Sequence, residues 1–492
     1  MMLGITCLKA VLAAVSFGTP FSDDAVLQRG REIPVWGRAD PGAWVEVRFG
    51  GHVRTAEASA DGRWRVKFGP LEASSVGRDL TASDDKACVT AKNVVVGEVW
   101  FASGQSNMEC PIVNPGKPRY RDGKGGYMVA MTQLPLVRFV KTARVPRLDS
   151  DRTEPTVEWR TFTPDQLAKG EYPLSAVAFY FARELHLALG VPVGIVDSSW
   201  GGSGIDAWTP RSAYAFASSL LAPTANYPVT IPWKGPRKSP IVGVEQQPCV
   251  LWNGMVRDFA PMAMRGFIWY QGCQNVDDVD LYSVKMHALY DGWAAAFENP
   301  DLKLCFVQIN PLGSWTPKFN AVARQQQAFA DEERNAFMVV GSDTANPSDV
   351  HPNDKETVAQ RLALQALKNA YGFPIEDAES PRLERAEFVG HEARLTFAHA
   401  KGFHVYMQGA RQFNPPFEVA GKDGVWHKAV LSHVNRDTYR LEGGSVTNGC
   451  NTLVVSSPEV ATPVRARYLA IPGAVSVLFN ELGLPLGHFE TK

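Results

Sequence analysis

Cysteine is scarce and scattered in this chain of 492 residues: the seven are Cys7, Cys88, Cys110, Cys249, Cys273, Cys305 and Cys450. They form no C-x-x-C pair and have no histidine pair nearby, so neither a disulfide framework nor a structural zinc site is expected. An excess of charge of one sign is missing too. Lys+Arg number 50 against 51 Asp+Glu, a formal net charge of -1, and without a basic block there is no electrostatic footprint for nucleic acid or for an anionic membrane surface. No apolar run approaches the ~20 residues of a spanning helix. No N-x-S/T sequon with a permitted middle residue occurs, and no internal repeat is visible. What is present is ordinary: 45% apolar and 21% charged residues exclude disorder and collagen-like structure, and the length suggests about three domains.

Residues Met1 to Ala14 read as a short signal-like start interrupted by Lys9. They point to a secreted or periplasmic protein, with a cytoplasmic one as the alternative. From about Pro20 to Asn93 the pattern has period two. Val45, Val47 and Phe49 alternate with Glu46 and Arg48, and Trp64, Val66 and Phe68 with Arg65 and Lys67, which predicts an antiparallel β-domain over residues 1–93. From Val94 short β-branched or aromatic runs (94–101, 136–140, 193–196, 266–270, 304–309 and 337–340) alternate with helical segments. Such alternation predicts an α/β domain over 94–378 whose mostly parallel sheet is covered on both faces. Ser175 is placed to cap a helix running to Gly190, and Asn353 with Glu356 suggests a capping box for a second helix ending near Gly372. Residues 223–248 hold six prolines and no periodicity, so they are expected to form a long loop. Strand texture returns over 379–492 as a C-terminal β-region.

Ligands of an open α/β sheet bind outside the carboxyl ends of its strands. Three strand ends are unusual: Ser103-Gly104-Gln105-Ser106-Asn107-Met108, Ser198-Ser199-Trp200-Gly201-Gly202-Ser203 and Gln271-Gly272-Cys273-Gln274-Asn275. The loop after the last strand carries Asp349-Val350-His351-Pro352. Together they supply what acyl transfer to water requires. A serine needs a base, and the base needs an orienting acceptor; Ser106, His351 and Asp349 suit those roles. Charge on the tetrahedral oxygen needs preorganised donors, for which the N–H groups of Ser106 and Gly202 and the amide of Gln271 or Asn275 are candidates. Gln271 is favoured because it directly follows a strand. No cofactor or metal is implied, since the remaining histidines have no metal-ligand spacing.

These blocks, with Gly97-Glu98-Val99-Trp100, Val26-Leu27-Gln28-Arg29, Pro34-Val35-Trp36-Gly37 and Leu251-Trp252-Asn253-Gly254-Met255, resemble the sialate O-acetylesterase family of SGNH-type hydrolases from about Phe21 to His488. The resemblance implies an SGNH-type α/β/α sandwich flanked by N- and C-terminal β-domains, and a serine esterase that removes O-acetyl groups from sugars, most directly from O-acetylated sialic acids. Acetyl-xylan or another hemicellulose is the alternative substrate, and a carbohydrate-binding protein with a decayed hydrolase domain is the rival from another class. The chain departs from the family pattern at two places. Cys273 stands where members usually have glutamate, and Asp349 lies two residues before His351 where the usual spacing is three. Asp343 is therefore the substitute acid. A thiol-nucleophile role for Cys273 is disfavoured because no histidine follows it closely. For the sugar, Trp200 and Trp233 are candidate stacking residues, Arg237, with Lys234 and Lys238, is a candidate partner for a carboxylate, and Trp269 is read as core.

Overall fold

The computed structural model describes residues 15–112, 134–148, 154–161, 174–214, 243–406, 415–431, 441–442, 445–448 and 450–491. Met1 to Ala14 and the segment with Trp233, Lys234, Arg237 and Lys238 lie outside the described residues.

The six strands expected from the apolar runs are all present, at Cys88–Gly104, Val137–Lys141, Val193–Ser199, Gly266–Tyr270, Lys303–Val307 and Ala336–Val339. In space their order begins at Val137–Lys141 and passes through Val193–Ser199, Cys88–Gly104, Gly266–Tyr270 and Lys303–Val307 to Ala336–Val339. All five pairings along that path are parallel. The short strand Arg160–Thr161 adds an antiparallel edge. From Val94 onward every residue of the long strand is buried, as expected when both faces of a sheet are covered.

The sheet as a whole is mixed, because the expected parallel strands share it with strands of the N-terminal β-layer. Cys88–Gly104 is one continuous strand whose first part pairs antiparallel with Ser74–Ser83 and parallel with Val26–Gln28. Eleven strands are thereby joined in one sheet. The period-two reading holds within the N-terminal strands: Val45, Val47 and Phe49 are buried, as are Trp64, Val66 and Phe68. Glu98, fully buried on the shared strand, accepts from Gln28 Nε2 at 2.9 Å and pairs with Arg29 at 2.5 Å and Arg265 at 3.1 Å. Burial pushes its carboxyl upward, but the two guanidiniums and the amide outweigh burial and hold it below the usual carboxylate range.

Ser175 caps Ala176–Leu189 as expected, accepting from the Ala178 N–H at 3.0 Å, and Gly190 closes the helix in the left-handed region at φ 66°. The second helix, Glu356–Tyr371, ends at Gly372 as expected but is capped differently. Asp354, rather than Asn353, accepts from the Thr357 N–H at 3.0 Å, and Glu356 pairs instead with Arg183 at 2.8 Å. Beyond Glu379 a seven-stranded and a four-stranded sheet surround a separate core that includes Phe397, Phe417, Val455 and Tyr468. Among the described residues no helix is long and apolar enough to cross a membrane.

Candidate active site

The nucleophile candidate sits on a turn with little freedom. Gly104, at φ 138°, ends the long strand where a Cβ would lie 2.4 Å from the Tyr270 carbonyl oxygen, so only glycine fits. Ser106 then opens the short helix Ser106–Glu109. Gln105 fastens this turn to the next loop: its Oε1 accepts from the N–H groups of Gly272 and Gln274, each at 3.2 Å.

Ser106, His351 and Asp349 come together although the serine and the histidine lie 245 positions apart in the chain. Ser106 Oγ lies 2.9 Å from His351 Nε2. On the far side of the ring His351 Nδ1 is 3.2 Å from Asp349 Oδ1, which also accepts from the His351 backbone N–H at 2.9 Å. This is the order of contacts that a hydroxyl nucleophile, a base and an orienting carboxylate require. Asp343, the substitute acid, is elsewhere, bound through both oxygens to Arg361 at 2.6 and 2.8 Å.

The amide donors sort themselves by what they already hold. Gln271 is fully buried, and its Nε2 donates to the Ser203 carbonyl at 3.2 Å and to Asn275 Oδ1 at 2.7 Å, while its Oε1 accepts from Tyr282. Both of its N–H bonds are therefore used, which overturns the expectation that Gln271 serves an oxyanion. Asn275 Oδ1 takes two bonds, from Gln271 and from the Ile205 N–H at 3.1 Å. With its oxygen fixed in this way, its Nδ2 is held in orientation and donates to no group among the described residues.

A similar sorting applies to the glycines. The Gly201 N–H donates to Glu109 Oε2 at 2.8 Å, whereas the Gly202 N–H donates to no group among the described residues. A Cβ on Gly201 would lie 2.9 Å from Glu109 Oε2 and 3.3 Å from the Ser106 Cβ, so glycine here permits the close approach of the loop to the serine. Asn275→Ala is expected to lower kcat by about 10²–10³-fold with KM little changed, the size of one oxyanion donor. Steady-state kinetics on a soluble acetyl ester, run beside Gln271→Ala, measures it.

The remaining candidates have the following surroundings. Burial pushes the Cys273 thiol up to about 12, the direction that disfavours the thiolate a nucleophile needs. Trp269 is fully buried and packs edge-on against Trp208. One face of Trp200 carries the Arg144 guanidinium, 5.6 Å from the ring centroid, and Arg144 is paired with Glu109. Sequence reasoning missed Trp315, 51% exposed in the turn Gly313–Trp315. This turn adjoins the His351 loop, since a Cβ on Gly313 would lie 2.9 Å from the Pro347 carbonyl oxygen. Lys318 covers one face of Trp315 and pairs with Asp277, two residues beyond Asn275. Among the described residues no group of three or more His, Cys, Asp or Glu is placed to hold a metal ion.

Comparison with known proteins finds relatives over most of the chain. Residues 244–368 match the family model described as carbohydrate esterase, sialic acid-specific acetylesterase. The sialate O-acetylesterase of Homo sapiens is 27% identical over 446 residues, covering 82% of this chain and 79% of the human protein. That of Mus musculus is 26% identical over 435 residues, covering 77% of each. A solved carbohydrate acetylesterase from Xanthomonas citri superposes with a TM-score of 0.79 at 28% identity, covering 97% of this chain and all of that one. The protein is a carboxylic ester hydrolase of the carbohydrate-esterase kind. The family it resembles over most of its length is that of the sialate O-acetylesterases.

Proposed function

We propose that the protein is a serine O-acetylesterase acting on O-acetylated sugars, first among them O-acetylated sialic acids, and that residues 94–378 form an SGNH-type α/β/α catalytic unit. The observation that carries the mechanism is the contact chain from Ser106 Oγ through His351 to Asp349, at 2.9 and 3.2 Å. Ser106 Oγ attacks the acetyl carbonyl as His351 Nε2 takes its proton. The oxyanion is received by the N–H groups of Ser106 and Gly202 and by Asn275 Nδ2. Protonated His351 gives the proton to the departing sugar oxygen, so the C–O bond breaks and an acetyl-enzyme remains. A water that loses its proton to His351 then attacks this ester, releasing acetate and restoring Ser106.

Hydrolysis of p-nitrophenyl acetate by the purified protein tests the reaction class, and a protein without esterase activity would return the reading to a carbohydrate-binding one. Parallel assays on a 9-O-acetyl sialoside and on acetyl-xylan test the substrate, and faster turnover of acetyl-xylan would move the reading to hemicellulose. Trp315, with one face against Lys318, is placed to stack a sugar ring on the other. Trp315→Ala is expected to raise KM roughly tenfold on the preferred acetylated sugar, the effect of about 1.4 kcal/mol of binding. The same variant is expected to leave KM for p-nitrophenyl acetate unchanged, and equal effects on both esters would remove Trp315 from sugar binding.

A further inference from the structure

Lys355 is a lysine in an unusual place. It is 2% exposed, directly before the helix Glu356–Tyr371 and four residues after His351. Among the described residues it has no ion pair. Its Nζ donates to Asn107 Oδ1 at 2.6 Å and lies 5.5 Å from the centroid of the Tyr270 ring. Lysines are almost never buried without a partner of opposite charge, because the ammonium loses its hydration.

Asn107 carries that contact into the site. It follows Ser106 in the chain, and its Nδ2 donates to the carbonyl of Val350 at 3.0 Å. Val350 is flanked by Asp349 and His351. One side chain thus ties the turn of the nucleophile to the turn of the base. The sense of the amide matters, since its oxygen and nitrogen ends have nearly the same shape. An ammonium only donates, so Asn107 must face Lys355 with its oxygen, and its nitrogen then faces the Val350 carbonyl. With an apolar group in place of Lys355 the amide loses this constraint, and a flipped amide would set two carbonyl oxygens against each other.

We propose that Lys355 is a positioning residue for the esterase reaction: its ammonium fixes the orientation of the Asn107 amide, and that amide holds the Asp349–Val350–His351 turn at the distance from Ser106 that proton transfer needs. The proposal rests on the reading of Ser106, His351 and Asp349 as the catalytic chain. Burial draws the Lys355 pKa below the usual lysine value, against the opposing influence of the Asp354 and Asp349 carboxylates. That is the direction for a cation kept inside at a cost to stability. A methionine would fill the space without the charge, and replacing a buried charge by an apolar side chain of similar shape is often neutral or stabilising.

The test pairs kinetics on p-nitrophenyl acetate with thermal melting, on the full chain. Lys355→Met is expected to melt at or above the temperature of the parent while kcat falls roughly 10–100-fold and KM stays within about twofold, the cost of a small misplacement of reacting groups. Asn107→Asp is the second variant. Its carboxylate can pair with Lys355 but has no N–H for the Val350 carbonyl, so kcat should fall by a similar factor in a protein that remains folded. An unchanged kcat in either folded variant would overturn the proposal, as would a loss of activity that merely follows a loss of folded protein. A Ser106→Ala protein that still turns over would overturn the catalytic chain beneath it, a result distinguishable from failure of the Lys355 role alone.

Discussion

Ser106→Ala is expected to abolish turnover, with kcat falling by about 10⁴-fold or more, because the remaining groups have no acyl acceptor to activate. The fold should be indifferent to the change. Ser106 lies on a strand-end turn held by other atoms, namely the Gln105 side chain and the Tyr270 carbonyl that accepts the Gln105 N–H at 3.1 Å. Thermal melting within a degree or two of the parent, together with loss of p-nitrophenyl acetate hydrolysis, is the expected result. Retention of a tenth of the parent rate would remove Ser106 from the nucleophile's place.

The second large effect separates two aspartates near the same strand end. Asp349→Asn should lower kcat by about 10⁴-fold without unfolding the protein, since an amide facing His351 Nδ1 favours the wrong tautomer of the ring. Asp343→Asn should act in the opposite way. Asp343 and Arg361 form a bidentate pair that also ties to the Val340 carbonyl. Neutralising one partner leaves a largely buried guanidinium without its counter-charge, and a stability loss of about 3 kcal/mol is expected, read from the urea midpoint, with kcat in the folded protein nearly unchanged. If the two variants exchange behaviour, Asp343 is the acid of the site.

Local chemistry made much of this legible in advance. The alternation around Val45 and Trp64 identified half-buried strands because period two leaves few other ways to bury one face, and the Ser175 and Gly190 signals act within a few residues of themselves. The turn residues Ser106, Asp349 and His351 stood out because strand-end loops concentrate polar groups for a reason. What local chemistry missed depended on partners distant in sequence. Gln271 looked the better oxyanion donor because it follows a strand, but Ser203, Asn275 and Tyr282 have already taken its polar atoms. Asn353 and Asp354 are equally good caps on paper, and in the structure it is Asp354 that accepts from the Thr357 N–H. Neither the burial of Lys355 nor the exposure of Trp315 has any signature in the residues around it.

The strand Cys88–Gly104 has a consequence for anyone who would cut this protein into parts. It begins as a member of the N-terminal β-layer and ends at the turn of Ser106, with the buried Glu98 cluster midway, joining Gln28 and Arg29 to Arg265. Removing residues before Val94 would strip Glu98 of its Gln28 and Arg29 contacts and leave one edge of the Val94–Gly97 backbone without the Val26–Gln28 ladder. The N-terminal layer is therefore not a detachable module, and an expression fragment designed to begin at the α/β segment should be recovered insoluble or inactive. Swapping that layer between relatives would succeed only if the glutamate and its cationic partners travelled together.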